Sequence, residues 1–317
     1  MEQERIEAVT ERKADPGLYD YLPWDQRPVI RWPNNARVAI WVAPNIEFYE
    51  LDPPLNPSRK PWPRPHPDVL GYATRDYGNR VGHMRMMRLL EQFGLRGSVS
   101  LSTAMLTHHP EIIDLVLERN WELFSHGIYN TRYTYGLNED QEREMIVDAM
   151  QRIRDYAGQH CDGYLAPALS HSEHTIDLFA EAGGTYTCDL FHDDQPTPVK
   201  TRSGKRFVSV PYSLELNDTI VYVVNRIEPR RYGDMIIRAF DRLYAEGERS
   251  GTVMCIPLHA YQVGHPHRLA ALQRALDHVC GHDQVWLATG REIAHHYLEH
   301  YHDEAVAMMA RIAQEEA

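Results

Sequence analysis

The chain has 317 residues, and 33 Lys plus Arg against 45 Asp plus Glu leave a net charge of −12. That balance argues against a general nucleic-acid binder, and 43% hydrophobic with 25% charged residues excludes a disordered, collagenous or coiled-coil chain. The length admits one large α/β domain or two smaller ones.

Met1 to Pro16 is charged throughout and lacks the apolar core of a signal peptide, so a cytoplasmic location is the expectation. Residues 1–30 read as an N-terminal arm, with Tyr19, Tyr21 and Trp24 set among charges, and 31–317 as a single catalytic domain. Such an arm packs on its own or a neighbouring subunit, which predicts a homo-oligomer, a dimer or tetramer. Arg37 to Pro44 reads as the first strand. Leu51 to Arg75 then holds Pro53, Pro54, Pro57, Pro61, Pro63, Pro65 and Pro67, too many for an ordinary connection, and suggests a stiff lid or a subunit contact that includes Trp62 and His66.

From there β-rich runs alternate with helical patterns. Val81 to Phe93 has helical spacing and stops at Gly94; Gly97 to Leu101 is a strand; Pro110 opens a helix to Arg119; Trp121 to Phe124 is a strand. Asn138 with Gln141 three residues on predicts a capping box for a helix to about Tyr156. Strands follow at Tyr164 to Pro167, Thr185 to Cys188, Phe207 to Val210, Thr219 to Val224, Thr252 to Leu258 and Gln284 to Leu287. Helices are expected at Ser172 to Ala182, Arg230 to Glu246, Arg268 to Cys280 and Arg291 to Tyr301. This alternation predicts an α/β fold, a distorted (β/α) barrel of about seven strands, with an open doubly wound sheet as the alternative. No glycine-rich phosphate cradle follows the first strand, which counts against nucleotide or dinucleotide enzymes. Apolar runs stay well short of the roughly 20 residues of a membrane span, and Cys161, Cys188, Cys255 and Cys280 read as reduced core residues.

In parallel barrels the reactive groups sit just beyond the carboxyl ends of strands. The polar residues there are Asn45 and Glu47, then Ser125, His126 and Asn130, then Asp189, His192, Asp193 and Asp194, and finally Tyr212 and His259. Asn130 reads equally as a turn cap or as a ligand, and Asp193-Asp194 before Pro196 as a solvated turn.

Asn45-Ile46-Glu47, Ser125-His126-Gly127 with a polar residue four places beyond the histidine, Tyr186 to Pro196, and Leu258-His259 together resemble the polysaccharide deacetylases of NodB homology. Arg75-Asp76-Tyr77-Gly78, Val210-Pro211-Tyr212, Asn217-Asp218 and Gly264-x-Pro266-x-Arg268 look like the allantoinase branch of that family, which opens cyclic ureides. The resemblance implies a NodB-like barrel and a C–N bond hydrolase. It also implies an Asp base, an Asp metal ligand and a His-x-x-x-His ligand pair, from which this sequence departs. Asn45 stands at the base position, Glu47 at the acidic ligand position, Asn130 at the second histidine, and Leu165-Ala166-Pro167 where Arg-x-Pro is the pattern. A divalent ion such as zinc on Glu47, His126 and Asn130, or no metal at all, are both open at this point. The expected roles are Glu47 or a bound ion as water activator, His259 as the acid for the leaving nitrogen, and His126 as positioning group. Asn45, Tyr77, Asn130, Asp189 and Tyr212 are expected at the substrate, a small amide such as a ureide, imide or lactam. The competing readings are a carbohydrate or peptidoglycan N-deacetylase and a non-catalytic binding protein; neither nucleic acid nor membrane is an expected partner.

Overall fold

Val38–Ile46 (β1) is buried at all nine positions and organises the sheet. A strand with no alternation of polar and apolar residues is one covered on both faces, as in parallel sheets. The computed structural model describes residues 17–54 and 66–315. Residues 1–16 of the expected arm, and 55–65 of the proline-rich stretch with Trp62, lie outside the described residues.

The remaining strands are Ser98–Leu101 (β2), Glu122–Ser125 (β3), Gly163–Tyr164 (β4), Tyr186–Thr187 (β5), Thr197–Pro198 (β6), Val208–Ser209 (β7), Thr252–His259 (β8) and Val285–Leu287 (β9). Their order is β6-β7-β5-β4-β3-β2-β1-β8, with β9 also on β1, and every pairing is parallel except β6 with β7. β8 runs along β1 from Val38 opposite Thr252 to Asn45 opposite His259. β9 pairs with the first residues of β1 and β2 with the last. The two ends of the path are bridged where Val253 N–H of β8 donates to the Asp194 carbonyl, 2.8 Å away, just before β6. The result is the distorted (β/α) barrel expected, with helices on its outer face.

The capping box at Asn138 forms as predicted, Gln141 N–H to Asn138 Oδ1 at 2.9 Å and Asn138 N–H to Gln141 Oε1 at 3.0 Å. Three segments differ from the expectation. Val69–Tyr77 is a helix capped by Asp68, whose carboxylate accepts from Gly71 N–H. Ile220–Val224, expected as strand, is a π-type helical turn. Asn217 Oδ1 accepts from the N–H groups of Thr219 and Ile220 and starts that turn, so local side-chain capping overrides the β-branched composition. A last helix, His302–Glu315, packs Ala305 and Met309 into the core. Among the described residues no helix is long and apolar enough to cross a membrane. The four cysteines are unbridged, and burial pushes the Cys161 thiol up to about 12.

Gly82 lies where helix His83–Gln92 meets the backbone that follows β8; a Cβ there would stand 2.3 Å from the Ala260 carbonyl oxygen. Gly82→Ala must therefore push the helix off the segment next to His259. It is expected to lower stability by roughly 1–3 kcal/mol, read as a drop in Tm. An unchanged melt would mean that this contact is free to relax.

Candidate active site

The sheet register brings distant residues to one rim. Ile46 lies opposite Leu101, Leu101 opposite Ser125 and Ser125 opposite Tyr164, so the next residues of three strands, Glu47, His126 and Leu165, emerge at one level. Asn45 lies opposite His259 on the neighbouring strand, and two-residue periodicity sends Asn45, Glu47 and His259 to the same face. These side chains line a cavity of about 290 Å3.

Glu47 is its centre. Oε1 lies 3.1 Å from His126 Nε2 and 3.8 Å from His259 Nε2. Oε2 accepts from the Tyr49 hydroxyl at 2.7 Å, with the Tyr261 hydroxyl at 3.4 Å. Burial alone would raise this carboxyl, but the charge of His259 and the hydrogen bond and charge of His126 outweigh it and hold Glu47 at about 2, against an ordinary 4.5. Glu47 is thus an ionised carboxylate in a buried site.

The other ring nitrogen of each histidine is fixed from behind. His126 Nδ1 lies 2.8 Å from the Leu165 carbonyl, which can only accept, so Nδ1 carries a hydrogen and Nε2 is left to Glu47. His259 Nδ1 lies 2.7 Å from Asp218 Oδ1, and Asp218 Oδ2 accepts from the His259 backbone N–H at 2.8 Å. Burial works against a charge on His259, yet Asp218 and Glu47 more than offset it, and its pKa is raised above 6.5. Asp218 is a positioning residue, since it acts on the site through the imidazole. Asp218→Asn is expected to lower kcat at least about tenfold and, because the raised pKa rests largely on Asp218, to move the basic limb of the pH profile to lower pH. A lower kcat with an unmoved limb would leave Asp218 a merely structural role.

Of the sequence-predicted residues, Glu47, His126, His259, Asn45, Asn130 and Tyr212 line the cavity. Asn45 Nδ2 donates to Tyr212 Oη at 3.1 Å and holds that ring against the wall. Tyr77 and Asp189 do not line it, and their expected contact with substrate is corrected. The Tyr77 hydroxyl accepts from Arg85 and its ring stacks on His265 at 4.1 Å, because the helix turns it towards the segment after β8. Asp189 is buried beneath the floor, where its carboxylate accepts from Ala166 N–H and shapes the backbone after β4. Asp193 pairs with Arg27 at 2.7 Å, and the His192 ring packs at a tilt against Tyr19, so both face the N-terminal segment.

Four site residues were not among the expected site positions: Tyr49 and Tyr261, and Arg75 and Asp218, which stood only within motifs that carry the resemblance. Tyr49 continues the alternation of Asn45 and Glu47, a signal that was available; Tyr261 and Arg75 are placed only by the fold. The Arg75 guanidinium lies 3.9 Å from the centre of the Tyr49 ring, and Nη1 donates to the Gly71 carbonyl, while Nε is buried without a hydrogen-bond partner. Burial opposes its charge, but Tyr49, Tyr261 and Glu47 hold it cationic.

The ligand set that includes Asn130 does not fit a divalent ion. Asn130 Oδ1 accepts from Ala168 N–H at 2.9 Å, and its Nδ2 donates to Tyr49, so the amide is oriented by the protein's own hydrogen bonds. Both oxygens of Glu47 are engaged by neutral or cationic donors. Among the described residues, a set of three His, Cys, Asp or Glu ligand atoms within 4.8 Å of one another occurs on the outer helices and not here. The tentative ligand set Glu47, His126 and Asn130 is therefore not supported by the geometry.

Residues 65–187 match the polysaccharide deacetylase family. The fold superposes on the crystal structure of PuuE allantoinase with a TM-score of 0.79 and 26% identity, over 92% of this chain and 99% of that one. A probable polysaccharide deacetylase from Pseudomonas aeruginosa PAO1 superposes with a TM-score of 0.76 and 26% identity, over 87% of this chain and 96% of that one. The peptidoglycan deacetylase of Helicobacter pylori is 22% identical over 255 residues, 70% of this chain and 86% of its own length.

Proposed function

We propose that this chain, which matches the polysaccharide deacetylase family over residues 65–187 and shares the fold of its solved relatives, hydrolyses an amide-type C–N bond in a small substrate such as a ureide, imide or lactam. The observation that carries the reading is the Glu47 carboxylate, with one oxygen facing the Nε2 atoms of two imidazoles inside a cavity of about 290 Å3. That volume lies at the low end for ligand pockets, which suits a small molecule better than a polymer. Leu165, Leu169, Leu214, Ile220 and Val223 supply an apolar wall, and Arg75 a cation.

In this reading water binds against Glu47, which takes one proton as the oxygen attacks the carbonyl carbon. His259 Nε2–H gives a proton to the nitrogen as the C–N bond breaks. The two steps support each other. Glu47 is a weak base partly because His259 is charged, so loss of that charge raises the carboxylate's proton affinity as the acid acts. The proton on Glu47 then returns to His259 across the 3.8 Å gap, and the site is reset. Arg75 N–H groups and backbone N–H groups near Tyr212 are the donors for the developing oxyanion.

The test is a panel of ureides, imides, lactams and N-acetyl sugars, each with and without chelator. Turnover of a small cyclic or open-chain amide that chelator leaves unchanged supports the reading. Release of acetate from N-acetyl sugar oligomers alone would replace it with N-deacetylation, and no turnover of any compound would favour a binding protein. Homo-oligomerisation through the N-terminal arm belongs to the same proposal, and a single 36.7 kDa species in gel filtration would remove it.

A further inference from the structure

Away from the cavity, helices Pro229–Glu246 and Pro266–Cys280 pack side by side outside β8. Between them lies a cluster that the hydrolytic site does not use. Asp241 of the first helix faces His278 of the second, Oδ1 to Nε2 at 2.7 Å. His282, two residues beyond the end of the second helix, folds back so that Nδ1–H donates to the His278 carbonyl at 2.8 Å. That bond does two things: it gives the His278 carbonyl a second donor beside the Gly281 N–H, and it fixes the tautomer in which Nε2 keeps a lone pair. The Phe240 ring packs against both imidazoles, with centroids 5.8 Å from His278 and 4.8 Å from His282, and Tyr244 stands 5.3 Å from His282. The three polar side chains can each offer one ligand atom, and those atoms lie within 4.8 Å of one another.

We propose that Asp241, His278 and His282 form a binding site for a zinc-class divalent cation that ties these two helices together. Two imidazoles and one carboxylate suit zinc, cobalt or nickel, whereas magnesium and calcium require a shell of oxygens. Tetrahedral ligands about 2.1 Å from zinc stand roughly 3.4 Å apart, so the side chains need only small rotations to close on the ion, with water in the fourth position. His278 gives up its hydrogen bond to Asp241, and both atoms become ligands. The ion fastens the helix that covers β8 to its neighbour, which makes the site structural and separate from the hydrolysis.

The experiment is calorimetry and thermal melting of the chelator-stripped full chain with zinc and, separately, with magnesium. Zinc is expected to bind with a stoichiometry near one and, at about 100 times its Kd, to raise Tm by roughly 3–5 °C, while magnesium does neither. His278→Gln and His282→Gln should each abolish both effects, each variant's zinc response being read against its own metal-free Tm, with the hydrolytic activity preserved, and His126→Gln should keep them. Cobalt in place of zinc should give the visible absorption of a four-coordinate ion. No zinc binding by the wild type, equal binding by His282→Gln, or loss of binding in His126→Gln alone would overturn the assignment.

Discussion

His259→Ala is expected to lower kcat on the cognate amide by at least about 100-fold, with a smaller change in KM. In the proposed reaction the side chain is the cavity's proton donor: Asp218 holds its Nδ1, its pKa is raised above 6.5, and Nε2 stands 3.8 Å from Glu47. Removing the ring leaves Asp218 still accepting from the backbone N–H of residue 259, so the buried carboxylate keeps a partner and the variant should fold. Added imidazole should restore part of the rate, an outcome that a purely structural histidine would not give. The pH profile carries the same assignment. The acid works while protonated, so the rate is full below the His259 pKa and falls as pH rises through it. Steady-state kinetics settle the matter, and wild-type kcat in this variant on the true substrate would end the proposed role.

Glu47→Gln should be the more damaging change, with kcat reduced by roughly 1,000-fold or more, because the amide can neither take the water proton nor return it to His259. It removes the negative charge that faces both imidazoles while keeping shape and volume, so the loss is of chemistry and not of packing. There is a thermodynamic signature as well. A carboxyl held at about 2 in the fold and 4.5 when unfolded contributes roughly 3 kcal/mol, present above pH 4.5 and lost as pH falls towards 2. His259 works with the opposite sign: its contribution is full below pH 6.5 and is lost as pH rises through its folded value. Glu47→Gln should therefore flatten the acid side of the stability curve, and it should also lower the His259 pKa, which Glu47 helps to raise. Wild-type turnover in the variant would show that the base lies elsewhere.

Much of this was legible along the chain. The capping box at Asn138 and the buried strands β1 and β8 follow from local patterns, because caps and uninterrupted apolar runs involve neighbours in sequence. Reading Thr219 to Val224 as a strand failed for a local reason too, since Asn217 caps the turn more strongly than the five β-branched or aromatic residues of Ile220–Val224 oppose it. Tyr77 and Arg75 show a different kind of miss. They lie two residues apart on one helix, and which of them meets the cavity depends on how the helix is rotated against the segment after β8.

The sequence by itself determined the alternation of strands and helices, the positions of Glu47, His126 and His259 at strand ends, and the presence of Asn45 and Asn130 where the family it resembles implies an Asp and a His. Only the tertiary structure decided that Asp218 stands behind His259, that Asp189 supports a backbone turn, and that the Asn130 amide oxygen is taken by Ala168 N–H. The physical reason is one of distance. A strand end announces itself through its own neighbours, whereas the state of a buried ionisable group is set by partners 41, 79 or 167 positions away that the chain brings within about 3 Å.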